Sequence, residues 1–137
     1  MTHNLEALTR ALVASPWWRW MAGMRGRFED WDAPVRIVAV ADECAFAIHE
    51  NAAMPIGFEC DVDSLNSPDL TDPATLGCLL ALVREAWKDP GATCAPVVSG
   101  QIHLEDWEIV WYAPHLDREI RGATEASALV AALLAAP

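Results

Sequence analysis

The sequence predicts a single α+β domain over residues 1–137, with a small, mostly antiparallel sheet and helices packed on it in an αβα-sandwich-like arrangement. Two observations lead to this fold class. Some segments repeat apolar residues at helical spacing, whereas others alternate apolar and polar residues at strand spacing. Their order along the chain is helix, hairpin, strand, acidic loop, helix, strands and helix, with no internal repeat and no long linker. A length of 137 residues is ordinary for a single domain.

Residues 72–87 form the predicted central helix of this domain. Asp72 suits the N-cap because its carboxylate can accept hydrogen bonds from the first turn, and Pro73 suits the first helical position because it lacks an N–H. The predicted buried stripe consists of Leu76, Leu79, Leu80, Val83 and Trp87. Gly77 weakens a helix interior, so we expect another backbone to approach closely at that position.

Two other regions of the chain are predicted to be helical. A first helix covers residues 4–14, and Ser15 with the proline that follows it predicts a second helical turn over residues 15–24. This turn contains three tryptophans, and we expect most of their rings to cover one end of the core. Thr124 is predicted to cap the last helix, and the buried stripe of that helix consists of Ala126, Leu129, Val130 and Leu133.

Period-two alternation predicts the strands. These cover residues 35–40, 44–48, 56–62 and 93–98, a short segment with Ile102 and Leu104, and residues 107–112. The segment 56–62 alternates most strictly along its length. Its inward-facing residues are predicted to be Ile56, Phe58, Cys60 and Val62, and its outward-facing ones Gly57, Glu59 and Asp61, with Asp63 following.

The net charge of −11 is distributed unevenly along the chain. Residues 37–83 contain eight acidic residues and neither lysine nor arginine. Contact with a nucleic-acid backbone needs clustered basic side chains, so this charge argues against direct nucleic-acid binding. The same charge suits a basic protein partner.

The cysteines and the N-terminus indicate the cellular compartment. The four cysteines are Cys44, Cys60, Cys78 and Cys94. They show no Cys-x-x-Cys spacing, so they are predicted to be free, buried thiols in a reducing cytoplasm. The chain begins with polar residues instead of a secretory signal, and its apolar runs are too short to span a bilayer. We therefore expect a cytoplasmic protein without membrane association, and no cofactor is predicted.

Two groups of residues are candidates for binding a partner. The first is an exposed contact patch made by Trp18 with Arg19 and Arg25, because tryptophan and arginine are enriched at interaction hot spots. The second is an acidic row on and after the strand 56–62, and its members are Glu59, Asp61, Asp63 and Asp69. Strand alternation places the first three of these on one face, where they would meet a positively charged groove.

Metal binding and catalysis have weaker signals in the sequence. Four aspartates, Asp61, Asp63, Asp69 and Asp72, follow positions 1, 3, 9 and 12 of a calcium loop, but the glycine and the bidentate glutamate of such loops are missing. A zinc site formed by Cys44, His49 and Cys60 would lack its fourth ligand. No metal site is therefore predicted. No catalytic residue is predicted either, because the sequence has no local signature of a nucleophile beside a base.

Three segments together carry a resemblance to known proteins: residues 72–87, 107–111 and 122–129. In these segments, within the part of the chain from Pro55 onward, the sequence resembles small uncharacterised proteins encoded by phages and prophages. It is also weakly similar to the phage ABA sandwich family, which is named for its αβα layers. The resemblance implies this layered fold and an accessory role in phage biology, and it implies no catalytic residues.

These observations predict a phage-type accessory protein that acts as a non-catalytic protein-binding module. One alternative is an acidic inhibitor that mimics nucleic-acid charge and blocks a host defence protein or another basic nucleic-acid-binding protein. A second alternative, from a different class, is a small metal-dependent enzyme that uses the loop 61–72. The identity of the partner and the oligomeric state are not encoded in any recognisable pattern.

Overall fold

The computed structural model describes residues 2–28, 33–50, 56–97, 106–111, 115 and 117–137. In these residues the chain forms three α-helices and two antiparallel sheets, which confirms the predicted α+β class. The helices are α1 (Thr2–Val13), α2 (Pro73–Trp87) and α3 (Glu125–Leu134). None of these helices has the length and apolar character needed to cross a membrane.

The chain divides into two compact units. The first unit is Arg19–Cys78, and the second combines Met1–Trp18 with Leu79–Pro137. Each unit contains one of the two sheets, so the strands form two separate sheets instead of the single predicted one. That residues 1–137 form one domain stays a prediction.

The first unit contains a five-stranded antiparallel sheet in the order β4-β3-β2-β1-β5. Its strands are β1 (Arg25–Phe28), β2 (Ala33–Ala41), β3 (Cys44–His49), β4 (Gly57–Asp61) and β5 (Leu65–Asn66). A 3-10 turn over Val62–Ser64 joins β4 to β5, which are the two edge strands. Four strand spacings would separate flat sheet edges by roughly 19 Å, whereas the connection can span only about 14 Å. The sheet must therefore be curled.

The inner face of the curled sheet confirms this geometry. Phe28 on β1 and Phe58 on β4 belong to strands three places apart, yet their ring centroids are only 5.0 Å apart in an edge-on contact. Ala45 and Ala47 on β3 belong to the same inner face and are almost fully buried, and Ala47 pairs in register with Phe58. A register shift between Ile37 and Ala39 marks the bulge that helps to bend β2.

The second unit contains a three-stranded antiparallel sheet with α3 packed on it and α1 packed on α3. Its strands are β6 (Thr93–Pro96), β7 (Trp107–Val110) and β8 (Arg121–Gly122). Thr124 caps α3 as predicted: its side chain accepts from the Ser127 N–H at 3.1 Å, and Ser127 Oγ accepts from the Thr124 N–H at 2.9 Å. The predicted stripe of α3 is buried as well.

The predicted buried stripe of α2 is partly wrong. Leu76 and Leu80 are only half-buried. The buried side chains of this helix are Thr75, Leu79, Leu82, Val83, Ala86 and Trp87. The buried face of α2 is therefore rotated from the predicted one toward Thr75, which is fully buried. The Thr75 hydroxyl accepts from the Arg25 N–H at 2.9 Å and donates to Asp72 Oδ2 at 2.9 Å. A pattern built only on apolar residues omits such a threonine.

Gly77 does not mark a close backbone approach, which corrects that prediction. The residue is exposed, and a Cβ added to it would meet no atom within 4 Å. Gly77→Ala is therefore expected to raise the free energy of unfolding by about 0.5–1 kcal/mol, because alanine loses less backbone entropy in a helix. Urea unfolding would measure this change.

Gly122→Ala is the matched control for that measurement. A Cβ on Gly122 would overlap Ser127 and the backbone nitrogen of Ala128 at the start of α3. This second variant should lose about 1–3 kcal/mol of stability, as overpacked sites do. Equal effects of the two alanine substitutions would contradict the placement of these glycines.

Two further predictions and one unpredicted strand complete the comparison of the fold with the sequence. The helical turn predicted from Ser15 is wrong: Ser15 Oγ accepts from the Trp17 N–H at 3.2 Å, which makes a local turn, and no helix follows in residues 15–24. Strand β1 was not predicted at all. The predicted strand with Ile102 and Leu104 lies outside the described residues.

Candidate functional site

The outer face of the curled sheet places two arginines side by side. Arg25 on β1 lies directly opposite Arg36 on β2, and like charges in such a pair repel each other. Glu50, just after β3, lies between them and accepts from Arg25 Nε at 2.7 Å and from Arg36 Nε at 2.8 Å. One carboxylate therefore bridges both guanidinium groups and offsets their repulsion.

Two aspartates extend this bridge into a network of alternating charge. Arg25 Nη1 donates to Asp69 Oδ2 at 2.7 Å. Arg36 donates to both carboxylate oxygens of Asp72, at 2.6 and 3.0 Å, in the bidentate geometry that favours arginine over lysine. We call these five side chains the ion-pair network: Arg25, Arg36, Glu50, Asp69 and Asp72.

The ion-pair network also fixes the start of α2. Asp72 Oδ2 accepts from the Thr75 N–H at 3.0 Å, which is the predicted cap. The hydrogen bond from Arg36, opposed by burial and helped by those from Thr75, lowers the pKa of Asp72 to about 2. Burial opposes the ionisation of Asp69, but hydrogen bonds from Thr71 and then Arg25 outweigh it, so its pKa is lowered too. This network is a structural element of the first unit.

Five acidic residues of the segment 37–83 remain outside the network and have no basic partner among the described residues. They are Asp42, Glu43, Glu59, Asp61 and Asp63, and we call them the acidic edge. Glu59 and Asp61 are exposed on β4, as the alternation predicts, while Phe58 and Cys60 are half-buried. The Val62 N–H donates to the backbone carbonyl oxygen of Glu43 at 2.9 Å, which brings the β2–β3 turn against the end of β4.

An exposed aromatic ring borders the acidic edge. Phe46 is 44 % exposed and lies opposite Glu59 in the register of β3 and β4, so both side chains are on the outer face. The ring lies against Gly57, where a Cβ would overlap it. Val38, in the bulge of β2, is 47 % exposed. Ile56 was predicted to face inward, but it is 60 % exposed just before β4.

The remaining predicted binding residues differ in exposure and in their charged partners. Arg25 and Asp69 belong to the ion-pair network and therefore pair with each other. Trp18 is half-buried and Arg19 is exposed. That Trp18, Arg19 and Arg25 form a contact patch stays a prediction, as does binding through Asp69.

The calcium-like spacing does not produce a ligand cluster. Asp69 and Asp72 accept hydrogen bonds from arginines, and no group of three or more His, Cys, Asp or Glu side chains within the described part of the chain could hold a metal ion. The zinc candidates also diverge. Cys44 is exposed on the outer face, whereas Cys60 pairs in register with the buried Ala45 on the inner face.

The thiols differ in accessibility, which corrects the prediction that all four are buried. Cys44 is exposed, while the other three are half-buried. Burial, followed by the nearby Glu125 carboxylate, raises the pKa of Cys94 to about 11. Burial is also the main cause of the raised pKa of Cys60 and of Cys78.

We therefore expect Cys44 to react with a thiol reagent in the folded protein before the other cysteines do, because thiolate reactivity follows exposure and pKa. Mass spectrometry of the first labelled site would measure this order. The Cys44→Ser variant should lose the fast phase of labelling. A fast phase that persists in this variant would contradict the assignment.

The second unit contains an aromatic cluster that the sequence patterns did not reveal. The Trp87 ring contacts those of Trp111 and His115, with centroids 4.8 and 5.0 Å away. Trp87 Nε1 donates to the Ala132 oxygen at 2.8 Å, which fixes the ring. A cavity of about 450 Å³ opens beside it, which we call the aromatic pocket, lined by Trp17, Ala86, Trp87, Lys88, His115 and Pro137. The signal for it in the sequence is Lys88, the only lysine of the chain.

Comparison with known proteins gives no family or relative for this chain. No protein-family model, no curated protein and no solved structure matches it significantly. Its own geometry is therefore the basis for a functional assignment.

Proposed function

We propose that this chain is a phage-type accessory protein and a non-catalytic protein-binding module. Its acidic edge, together with Phe46, contacts a positively charged surface of a partner protein. The observation that carries this proposal is the group of five exposed acidic residues without a basic partner among the described residues, beside an exposed aromatic ring. The neighbouring acids of the same segment are already neutralised by Arg25 and Arg36.

This composition matches what protein interfaces need. Their centres are enriched in aromatic residues, and their rims are polar. Phe46 would supply the central anchor, because its ring is exposed yet supported by the backbone at Gly57. The carboxylates around it would speed the encounter with a basic partner and set its orientation.

A second candidate function is inhibition by charge mimicry. Glu59 and Asp61 are two residues apart on one face of β4, which places them about 7 Å apart, comparable to phosphates along a nucleic-acid strand. The partner would then be a basic nucleic-acid-binding protein, such as a host defence protein, and nucleic acid would compete for the same groove. This target class follows from the phage-type role that we propose.

The metal-dependent enzyme has no observation in its favour. Two of the four aspartates of the loop 61–72, Asp69 and Asp72, are paired with arginines, and Asp72 also caps α2. A cation at this loop would have to displace both guanidinium groups.

Affinity capture from a host lysate with matched variants tests the proposal. The neutral-edge variant carries Glu59→Gln, Asp61→Asn and Asp63→Asn, which keep the shapes of the side chains. The control variant carries Glu6→Gln, Asp106→Asn and Asp117→Asn, which remove the same charge from exposed positions in the second unit. Parent and control should capture the same basic protein, and the neutral-edge variant should capture at least tenfold less at low salt.

Phe46 supplies a second arm of this experiment. Phe46→Ser should weaken capture at every salt concentration, because loss of an apolar contact is not screened by ions. Val110→Ser is its control, since Val110 is also 44 % exposed but belongs to the second unit. Competition by DNA would favour charge mimicry over simple protein binding. Equal capture by the parent and the neutral-edge variant would overturn the proposal.

A further inference from the structure

We propose that the aromatic pocket binds a small, flat aromatic molecule that carries one anionic group such as a carboxylate. This site is separate from the acidic edge, because all of its lining residues belong to the second unit. Its volume of about 450 Å³ lies within the range of small-molecule sites, roughly 300–1,000 Å³. Its lining combines tryptophan rings with a few polar groups, as such sites do.

Lys88 occupies a position where glycine is the usual residue. It lies just after α2 with φ of 54°, and the Asp89 N–H donates to the Arg84 oxygen at 2.9 Å across it. Helices that end in this way usually have glycine at this position, because a side chain is strained there. Proteins break one or two local rules of this kind at functional sites, although Asp42 and Ser67 of this chain also have positive φ. The only lysine of the chain thus lines the aromatic pocket, without an ion pair to any described residue.

Two basic side chains near the aromatic pocket can attract an anion. Lys88 lines the cavity, and the Arg118 guanidinium lies 6.0 Å from the centroid of the Trp87 ring. The Trp87 ring is held by its contacts with Trp111 and His115 and is only 5 % exposed, so it forms a fixed part of the cavity wall. Trp17 is half-buried on the same wall, and its indole is the surface on which an aromatic ligand can stack.

His115 adds a hydrogen-bonding group of known direction. Its Nε2 is 2.8 Å from the Trp87 carbonyl oxygen. A carbonyl can only accept, so Nε2 carries a proton and donates to it. Nδ1 is then the ring nitrogen that could pair with a polar group on a ligand.

The single lysine allows a direct test. Reductive methylation with ¹³C-formaldehyde labels Lys88 and the N-terminal amine, keeps both charges, and gives one lysine signal by NMR. The probes are benzoate, 2-naphthoate and indole-3-carboxylate, each paired with its neutral amide. We expect at least one carboxylate to shift the Lys88 signal and leave the N-terminal signal in place. Its amide should bind at least tenfold more weakly.

Two variants complete the test by tryptophan fluorescence or calorimetry. Lys88→Gly should bind the carboxylate at least tenfold more weakly while its melting temperature stays equal or rises, which separates binding from folding. Trp17→Ala should weaken carboxylate and amide alike. The proposal is overturned if no carboxylate shifts the Lys88 signal, if the amides bind as well, or if Lys88→Gly binds as tightly as the parent.

Discussion

Replacing Leu79 with alanine is expected to lower the free energy of unfolding by about 2–5 kcal/mol. The side chain is 0 % exposed, so its removal leaves a cavity inside the core that the surrounding residues can fill only partly. A loss of this size is a large fraction of the stability of an ordinary domain, about 5–15 kcal/mol. Urea unfolding followed by circular dichroism would measure it.

The adjacent Leu80→Ala variant is the matched control for this measurement. Leu80 has the same chemistry and belongs to the same helix, but it is only half-buried. We expect it to lose clearly less stability than Leu79→Ala, because less apolar area leaves water when the side chain is in place. A loss at Leu80 equal to or larger than that at Leu79 would restore the stripe predicted from the sequence and contradict the observed rotation of α2.

Acidification is expected to remove a definite part of the stability through Asp72. The pKa of this carboxyl is about 2 in the folded chain, against about 3.9 for an unfolded aspartate. A group whose pKa is lowered by folding stabilises the protein above the unfolded value, so this contribution is lost as the pH falls from about 4 to about 2. Two pKa units correspond to about 2–3 kcal/mol.

Asp72→Asn isolates this contribution from other titrating groups. Asparagine is also a good N-cap, so the hydrogen bond to the start of α2 can remain while the charge opposite Arg36 is removed. At pH 7 the variant should be less stable than the parent by about 2–3 kcal/mol, and the difference should shrink toward zero near pH 2. A difference that stays constant between pH 7 and pH 2 would show that the ion pair with Arg36 does not cause the loss.

Local signals in the sequence predicted much of the fold. The caps at Asp72 and Thr124 are correct because a capping bond joins residues only three apart. The predicted alternation is correct within β4, where Phe58 and Cys60 lie on the inner face of the sheet, and wrong at its ends. Ile56 is exposed, and Asp63 lies in the 3-10 turn and not on the strand. The α2 stripe was misplaced because the burial of Thr75 depends on a hydrogen bond from Arg25, fifty residues away.

Strand β1 could not be predicted for a similar reason. Its sequence, Arg25–Phe28, holds two arginines and a glycine, and only pairing with β2 and β5 makes it a strand. The same pairing brings Arg25 and Arg36 next to acidic residues of the segment 37–83, which itself contains no lysine or arginine. Counting charge along the chain therefore found the acidic edge but did not separate its members from the neutralised acids.

The aromatic pocket depended on distant residues as well. Trp17, Lys88 and His115 are widely separated in the sequence, and no periodic pattern connects them. Lys88 alone carried a signal, because it is the only lysine of the chain and directly follows a helix, where glycine is usual.

The central claim, that the acidic edge recognises a basic protein, is tested most directly by the salt dependence of one affinity. The dissociation constant of the captured partner should be measured from low to high salt for the parent, the neutral-edge variant and the charge-matched control. Parent and control should bind tightly at low salt and weaken steeply and equally as salt rises. The neutral-edge variant should bind at least tenfold more weakly at low salt, with a shallower salt dependence. Three superimposable curves would contradict the claim.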